Sequence, residues 1–139
     1  MKVVVIDGQS GRMGQLFIER AVAAGLPCEF LAVGANAIAT AAMLKAGAKA
    51  GATGENPVLV ACRSADIIVG PMGIAVADSL LGEISPAMAN AVAASSAHRV
   101  LIPMNLCNTY VAGVNRNAAA IIADAMDQIQ NIVKEMERS

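Results

Sequence analysis

The feature that most constrains this chain is its opening. A valine-rich run, residues 2–7, ends at Asp7 and is followed by Gly8-Gln9-Ser10-Gly11-Arg12-Met13-Gly14. A short apolar run closed by glycine reads as a buried strand. Helical spacing follows at once, with Met13, Leu16, Phe17, Ala21 and Ala24 on one face and Gln15, Glu19 and Arg20 elsewhere. Gly25 supplies the stop. Three glycines at a strand-to-helix turn have distinct expected uses: the first allows the tight turn, the second lets a ligand approach the backbone, and the third lets helix and strand pack closely. Amides of the first helical turn then face outward, where the helix dipole favours an anion.

The rest of the chain repeats the alternation. Strands are expected at residues 28–33, 48–52, 66–70 and 99–104. Helices are expected from the Asn36 cap to about residue 46, from Asn56-Pro57, over 75–81, and from Ser85-Pro86 to about Ser96. Ile121, Ile122, Ala125, Met126, Ile129, Ile132, Val133 and Met136 recur at helical spacing and mark a last helix. Strand and helix alternating over the full length imply parallel strands joined by right-handed crossovers. The expected architecture is one Rossmann-like domain over residues 1–139, three layers α/β/α, with a mainly parallel sheet of about five strands.

Composition agrees and sets exclusions. The chain is 56% hydrophobic but only 2% aromatic, so the core is aliphatic, as suits strands covered on both faces. That apolar excess also points to a homo-oligomer, a dimer in the simplest case, with the C-terminal helix as contact element. A net charge of −1 without a basic stripe excludes extended nucleic-acid binding. The uncharged runs 30–44 and 100–115 fall short of the roughly 18 residues a membrane span needs. No signal-peptide core develops before Asp7, so a cytoplasmic protein is expected. Cys28, Cys62 and Cys107 are widely spaced, which suits neither zinc nor a disulfide framework, and no metal site is expected.

In such a sheet ligands sit outside the carboxyl ends of the strands, where strand order reverses. The residues at those ends are the Gly8 to Gly14 turn, then Gly34 and Asn36, then Thr53-Gly54-Glu55-Asn56, then Gly70-Pro71-Met72-Gly73, then Asn105, Cys107, Asn108 and Thr109. Most are small or uncharged, suited to hydrogen bonding a ligand. Asn36 reads equally as a helix cap or a ribose contact. Pro71, Met72 and Gly73 read equally as an ordinary turn or a backbone pass beside a cofactor. Glu55 and Glu83 are candidate acids or bases, although a solvated loop carboxylate is the commoner case. Asp66 and the single histidine, His98, fall at the opposite edge and read as structural. Tyr110 reads as packing under the last helix.

The stretch Val5-Ile6-Asp7 with its glycine turn resembles the nucleotide-binding turn of dihydrodipicolinate reductases, Gly-x-x-Gly-Arg-Met-Gly. More widely, residues 5–8, 36–48, 52–56, 66–73, 82–84 and 101–103 resemble a family of small bacterial proteins defined as a domain of unknown function, which implies a Rossmann-like fold and no particular activity. The first resemblance covers only this opening unit and implies NAD(P) binding with oxidoreductase-like chemistry through Gly8, Gln9, Ser10, Gly11, Arg12, Met13 and Gly14. The strand-end reading adds Gly34, Asn36, Pro71, Met72, Gly73 and Asn105 as cofactor contacts. Two features depart from a dinucleotide site. No acid stands at the end of the second strand, Ala32-Val33-Gly34-Ala35-Asn36, where one normally binds ribose hydroxyls. Asp7 also places a carboxylate immediately before the turn, which would repel a pyrophosphate unless it faces away or holds a metal or a ribose. The alternative is a non-catalytic or regulatory module for a smaller phosphorylated metabolite.

Overall fold

The computed structural model describes residues 1–103, 109–113 and 117–139. β1 (Lys2–Asp7), β2 (Glu29–Gly34), β3 (Ala50–Thr53), β4 (Ile67–Pro71) and β5 (His98–Ile102) form one sheet in the order β3-β2-β1-β4-β5. Every pairing is parallel. β1 is central, and its side chains alternate between two cores. Val3 and Val5 join Phe17, Ile18 and Ala21 of α1 (Arg12–Ala23), Met43 of α2 (Ala37–Lys45), and Ile122, Ala125, Ile129 and Val133 of α5 (Ala118–Glu137). Val4 and Ile6 join Val58 and Cys62 of α3 (Glu55–Ser64) and Met88, Ala89 and Val92 of α4 (Pro86–Ala94). Residues Val3 to Ile6 are all fully buried. Each such aliphatic side chain contributes about 1.5–3 kcal/mol.

The chain runs from β1 outward to β3, then crosses back to β4 on the other flank of β1. Strand order therefore reverses between β1 and β4, and the glycine turn lies at the carboxyl end of that reversal.

Caps fall where the residue types place them. Asn36 Oδ1 accepts the Ala39 amide at 2.9 Å, and Ser85 Oγ accepts the Met88 amide at 3.2 Å. Boundaries differ in a few places. β3 begins two residues later than expected, because the Lys49 amide bonds Phe30 O and pairing with β2 starts at Leu31 and Ala50. Extended backbone at Ser95 ends α4 at Ala94. β5 pairs with β4 as far as Ile102, and Met104, the last residue of the expected strand, lies outside the described residues.

The largest correction concerns the helix expected over 75–81. A 3₁₀ turn, Met72–Ala75, gives way to an irregular loop in which Asp78, Leu80 and Leu81 are left-handed, at φ +63°, +54° and +57°. Ile74 and Ile84 are fully buried and anchor the two ends of this loop. Asp78 N to Ile84 O at 2.7 Å and Ile84 N to Ser79 O at 3.3 Å close it. A helix would carry those anchors apart.

The apolar stripe of the C-terminal helix, Ile122, Ala125, Ile129 and Val133, is packed inside beside β5. Among the described residues, no helix is long and apolar enough to cross a membrane.

Candidate functional site

Asp7 is the last residue of β1 and is 5% exposed. Its carboxylate turns into the glycine turn. Oδ1 accepts the Gly8 amide and Oδ2 the Gly14 amide, both at 2.8 Å. Burial pushes its pKa above the ordinary 3.8. The amides of Gly14, Gly8 and Met13 pull it back, while the charge of Glu83 adds to the rise. The expected conflict with an anion is thus resolved inward: Asp7 consumes amides that a ligand was expected to meet.

Two of the three glycines serve different neighbours from those expected. A Cβ on Gly8 would lie 2.8 Å from Glu83 Oε1 and 2.9 Å from Leu80 Cδ1, so the 76–84 loop presses on it. Gly11 is left-handed at φ +73°, and a Cβ there would lie 2.7 Å from the Cα of Ala39. The second glycine therefore admits the backbone of α2, not a ligand. Gly14 meets Met43 and Asp7, which is the expected close packing of helix on strand.

Glu83 is half-buried at the mouth of this turn. Its Oε1 accepts the Gln9 amide at 2.5 Å, and its Oε2 accepts Asn36 Nδ2 at 2.6 Å. Asn36 Nδ2 also donates to Gln9 O at 3.0 Å. Asn36 thus caps α2 with its oxygen and joins the site with its nitrogen. Glu83 is no solvated loop carboxylate. It ties the loop after β4 to the ends of β1 and β2.

Most turn amides are occupied. Besides those of Gly8, Gln9 and Gly14, the Gly11 amide bonds Gly8 O and the Gln15 amide bonds Gly11 O, both at 2.9 Å. Ser10 and Arg12 are exposed, and among the described residues their amides have no partner. α1 has no side-chain cap and no acid of its own in the first turn, and the carboxylate facing the positive end of its dipole is that of Asp7, through the Gly14 amide. A groove of about 330 Å³, lined by Arg12, Met13, Gln15, Leu16, Glu19 and Ala118, leads away from this point.

The remaining candidates separate. Gly34 is closed off by Thr40, whose Oγ1 accepts the Gly34 amide at 3.1 Å. Pro71 and Gly73 are buried, and Gly73 O accepts the Ser79 hydroxyl, while Met72 is half-buried beside them. This segment anchors the loop above Gly8. Glu55 accepts Ser85 Oγ at 2.6 Å, joining the starts of α3 and α4. Asp66 accepts the Lys2 amide at 2.7 Å and His98 is exposed at the strand starts, as a structural reading of both requires. Tyr110 is 88% exposed, against the expected packing under the last helix. Burial pushes the Cys62 thiol up to about 11, and the Cys28 thiol is raised by the same cause. Asn105, Cys107 and Asn108 lie outside the described residues.

The meeting of Glu83 with Gln9 and Asn36 is the part that sequence reasoning missed. Its only signal was a glutamate beside Gly82 in the loop following a strand end.

No curated protein matches the chain. A solved structure of similar architecture is a dodecameric FMN-dependent UbiX-like decarboxylase from Escherichia coli O157:H7, 16% identical, with a TM-score of 0.44 over 95% of this chain and 76% of that one. That likeness extends to general α/β architecture only. The model of a family described as a domain of unknown function, DUF3842, matches residues 2–136, and the chain, an open parallel α/β sheet with its glycine turn at the strand-order reversal, belongs to that family.

Proposed function

We propose that the turn at the carboxyl end of β1 binds a small ligand of the nucleotide class through a single phosphate. The observation that carries this reading is the exposed start of α1, where the Ser10 and Arg12 amides have no partner among the described residues. A phosphate there accepts two amides and meets the Arg12 guanidinium, the arrangement that favours anions at helix starts. A whole pyrophosphate fits less well. The amides of Gly8, Gln9 and Gly14 already serve Asp7 and Glu83. This favours a mononucleotide, or the nucleotide half of a larger cofactor, over a full NAD(P) cradle, and it leaves a binding role as the function the geometry supports.

The test is a thermal-shift and calorimetric series with AMP, NAD, NADP, FMN and inorganic phosphate. A ligand at 100 times its dissociation constant adds about 2.7 kcal/mol of stability. Arg12→Glu separates binding from folding. An acid at the first helical position favours the dipole by about 0.3–1 kcal/mol, while it repels phosphate. We expect this variant to keep or gain stability and to lose affinity at least about tenfold. A wild-type chain that none of these compounds stabilises refutes the reading.

We infer in addition that the chain self-associates through β3. All four of its residues are exposed, and none is charged or proline, although unpaired edges are normally blunted by such residues.

A further inference from the structure

We propose that Glu83 selects a ribose with free 2′ and 3′ hydroxyls; this rests on the reading above, that a nucleotide binds at the turn. In open α/β sheets that bind dinucleotides, an acid at the end of the second strand accepts the ribose hydroxyls. Here β2 ends in Val33-Gly34 and continues into Ala35-Asn36, without an acid. The fold brings one from elsewhere. Glu83, 47 residues from Asn36 in sequence, holds its carboxylate against Asn36 at the end of β2 and against the Gln9 amide at the end of β1. Acid, strand end and glycine turn therefore meet in space although the sequence separates them.

The carboxylate is equipped for a diol. An ionised carboxylate offers about four acceptor sites. One bond on each oxygen is made to Gln9 N and Asn36 Nδ2, which leaves each oxygen able to accept one hydroxyl. Its position is held on several sides. The missing side chain of Gly8 leaves room for Oε1, and Leu80 closes over the same point. Asn36 cannot reverse its amide without giving up the Ala39 cap. The loop that delivers Glu83 keeps three non-glycine residues left-handed, a conformation that persists only where the surroundings enforce it. A phosphate ester at the 2′ position would put two anions face to face, so the site rejects it.

The experiment is calorimetric titration of the intact chain with 5′-AMP, 2′-deoxy-AMP, 3′-deoxy-AMP and adenosine 2′,5′-bisphosphate, repeated on Glu83→Gln with its fold checked by circular dichroism. We expect each deoxy analogue to bind about tenfold or more weakly than AMP, as for loss of a hydrogen bond to a charged group. The bisphosphate should give no measurable heat. Glu83→Gln should bind AMP and 2′-deoxy-AMP alike. Equal affinity of the wild-type chain for AMP and both deoxy analogues overturns this inference and leaves nucleotide binding standing. Tighter AMP binding by Glu83→Gln also overturns it, because Glu83 would then be a competitor for the ligand's place. Failure of all four nucleotides to bind overturns this inference, and failure of NAD, NADP, FMN and inorganic phosphate as well removes the reading beneath it.

Discussion

Asp7 shows how one carboxylate decides what a turn can do. Its two oxygens take amides from both ends of the turn, and its carboxyl group is buried. Burial outweighs the amides, and the folded-state pKa lies above 3.8. A raised acid stabilises the fold fully below its unfolded value and loses that contribution as pH rises through the folded value. Stability contributed by Asp7 therefore falls as pH rises through its folded-state value. Carbon-detected NMR titration should place its midpoint above 3.8, and Glu83→Gln should lower that midpoint by removing a nearby charge. A midpoint at or below 3.8 would contradict the burial argument. Gly11 makes a second point at this scale. A side chain there meets the backbone of α2, so a substitution at Gly11 damages the fold and is a poor probe of binding.

Among the elements, the 76–84 loop is the one whose local and global demands conflict. Leu81 is left-handed at φ +57° and 94% exposed, so it gains no burial for its strain. The left-handed region costs a side-chain-bearing residue roughly 1–2 kcal/mol. Leu81→Gly should relieve most of that, with a net gain of about 0.5–1 kcal/mol after the entropy of the added glycine. Thermal unfolding should then rise by roughly 2–5 °C. An unchanged or lower midpoint would mean that the loop is held by contacts of Leu81 itself. Leu80 differs, since it packs partly into the core on the α3 and α4 face and lies against Gly8. The loop holds Glu83 through such anchors, and the strain at its tip accompanies that placement.

For the whole molecule, the sheet has two edges with unlike protection. β5 carries His98 and Arg99 and is flanked by α5. β3 is short, uncharged and exposed along its length, and Ile38 and Val60, 71% and 49% exposed, lie on the helices next to it in sequence. Light scattering should return a mass that is a multiple of 14.1 kDa, reduced to the single-chain value when Ala52→Lys charges the edge. A single-chain mass for the unaltered protein at micromolar concentration would refute association through β3.

Strand, turn and helix were legible wherever a local rule sufficed. Val3 to Ile6 had to be a buried strand because nothing polar interrupts them, and Asn36 and Ser85 had to start helices because their side chains reach back to the next turn's amides. Alternation of such units left a parallel sheet as the outcome. The contents of the site were not legible in this way, because its key bonds join residues 7 with 14, 9 with 83, and 36 with 83. No local propensity records where a loop anchored by Ile74 and Ile84 will set down a carboxylate. Tertiary packing alone decided that the glycine turn would face two acids, and so which of its amides stay open to a ligand.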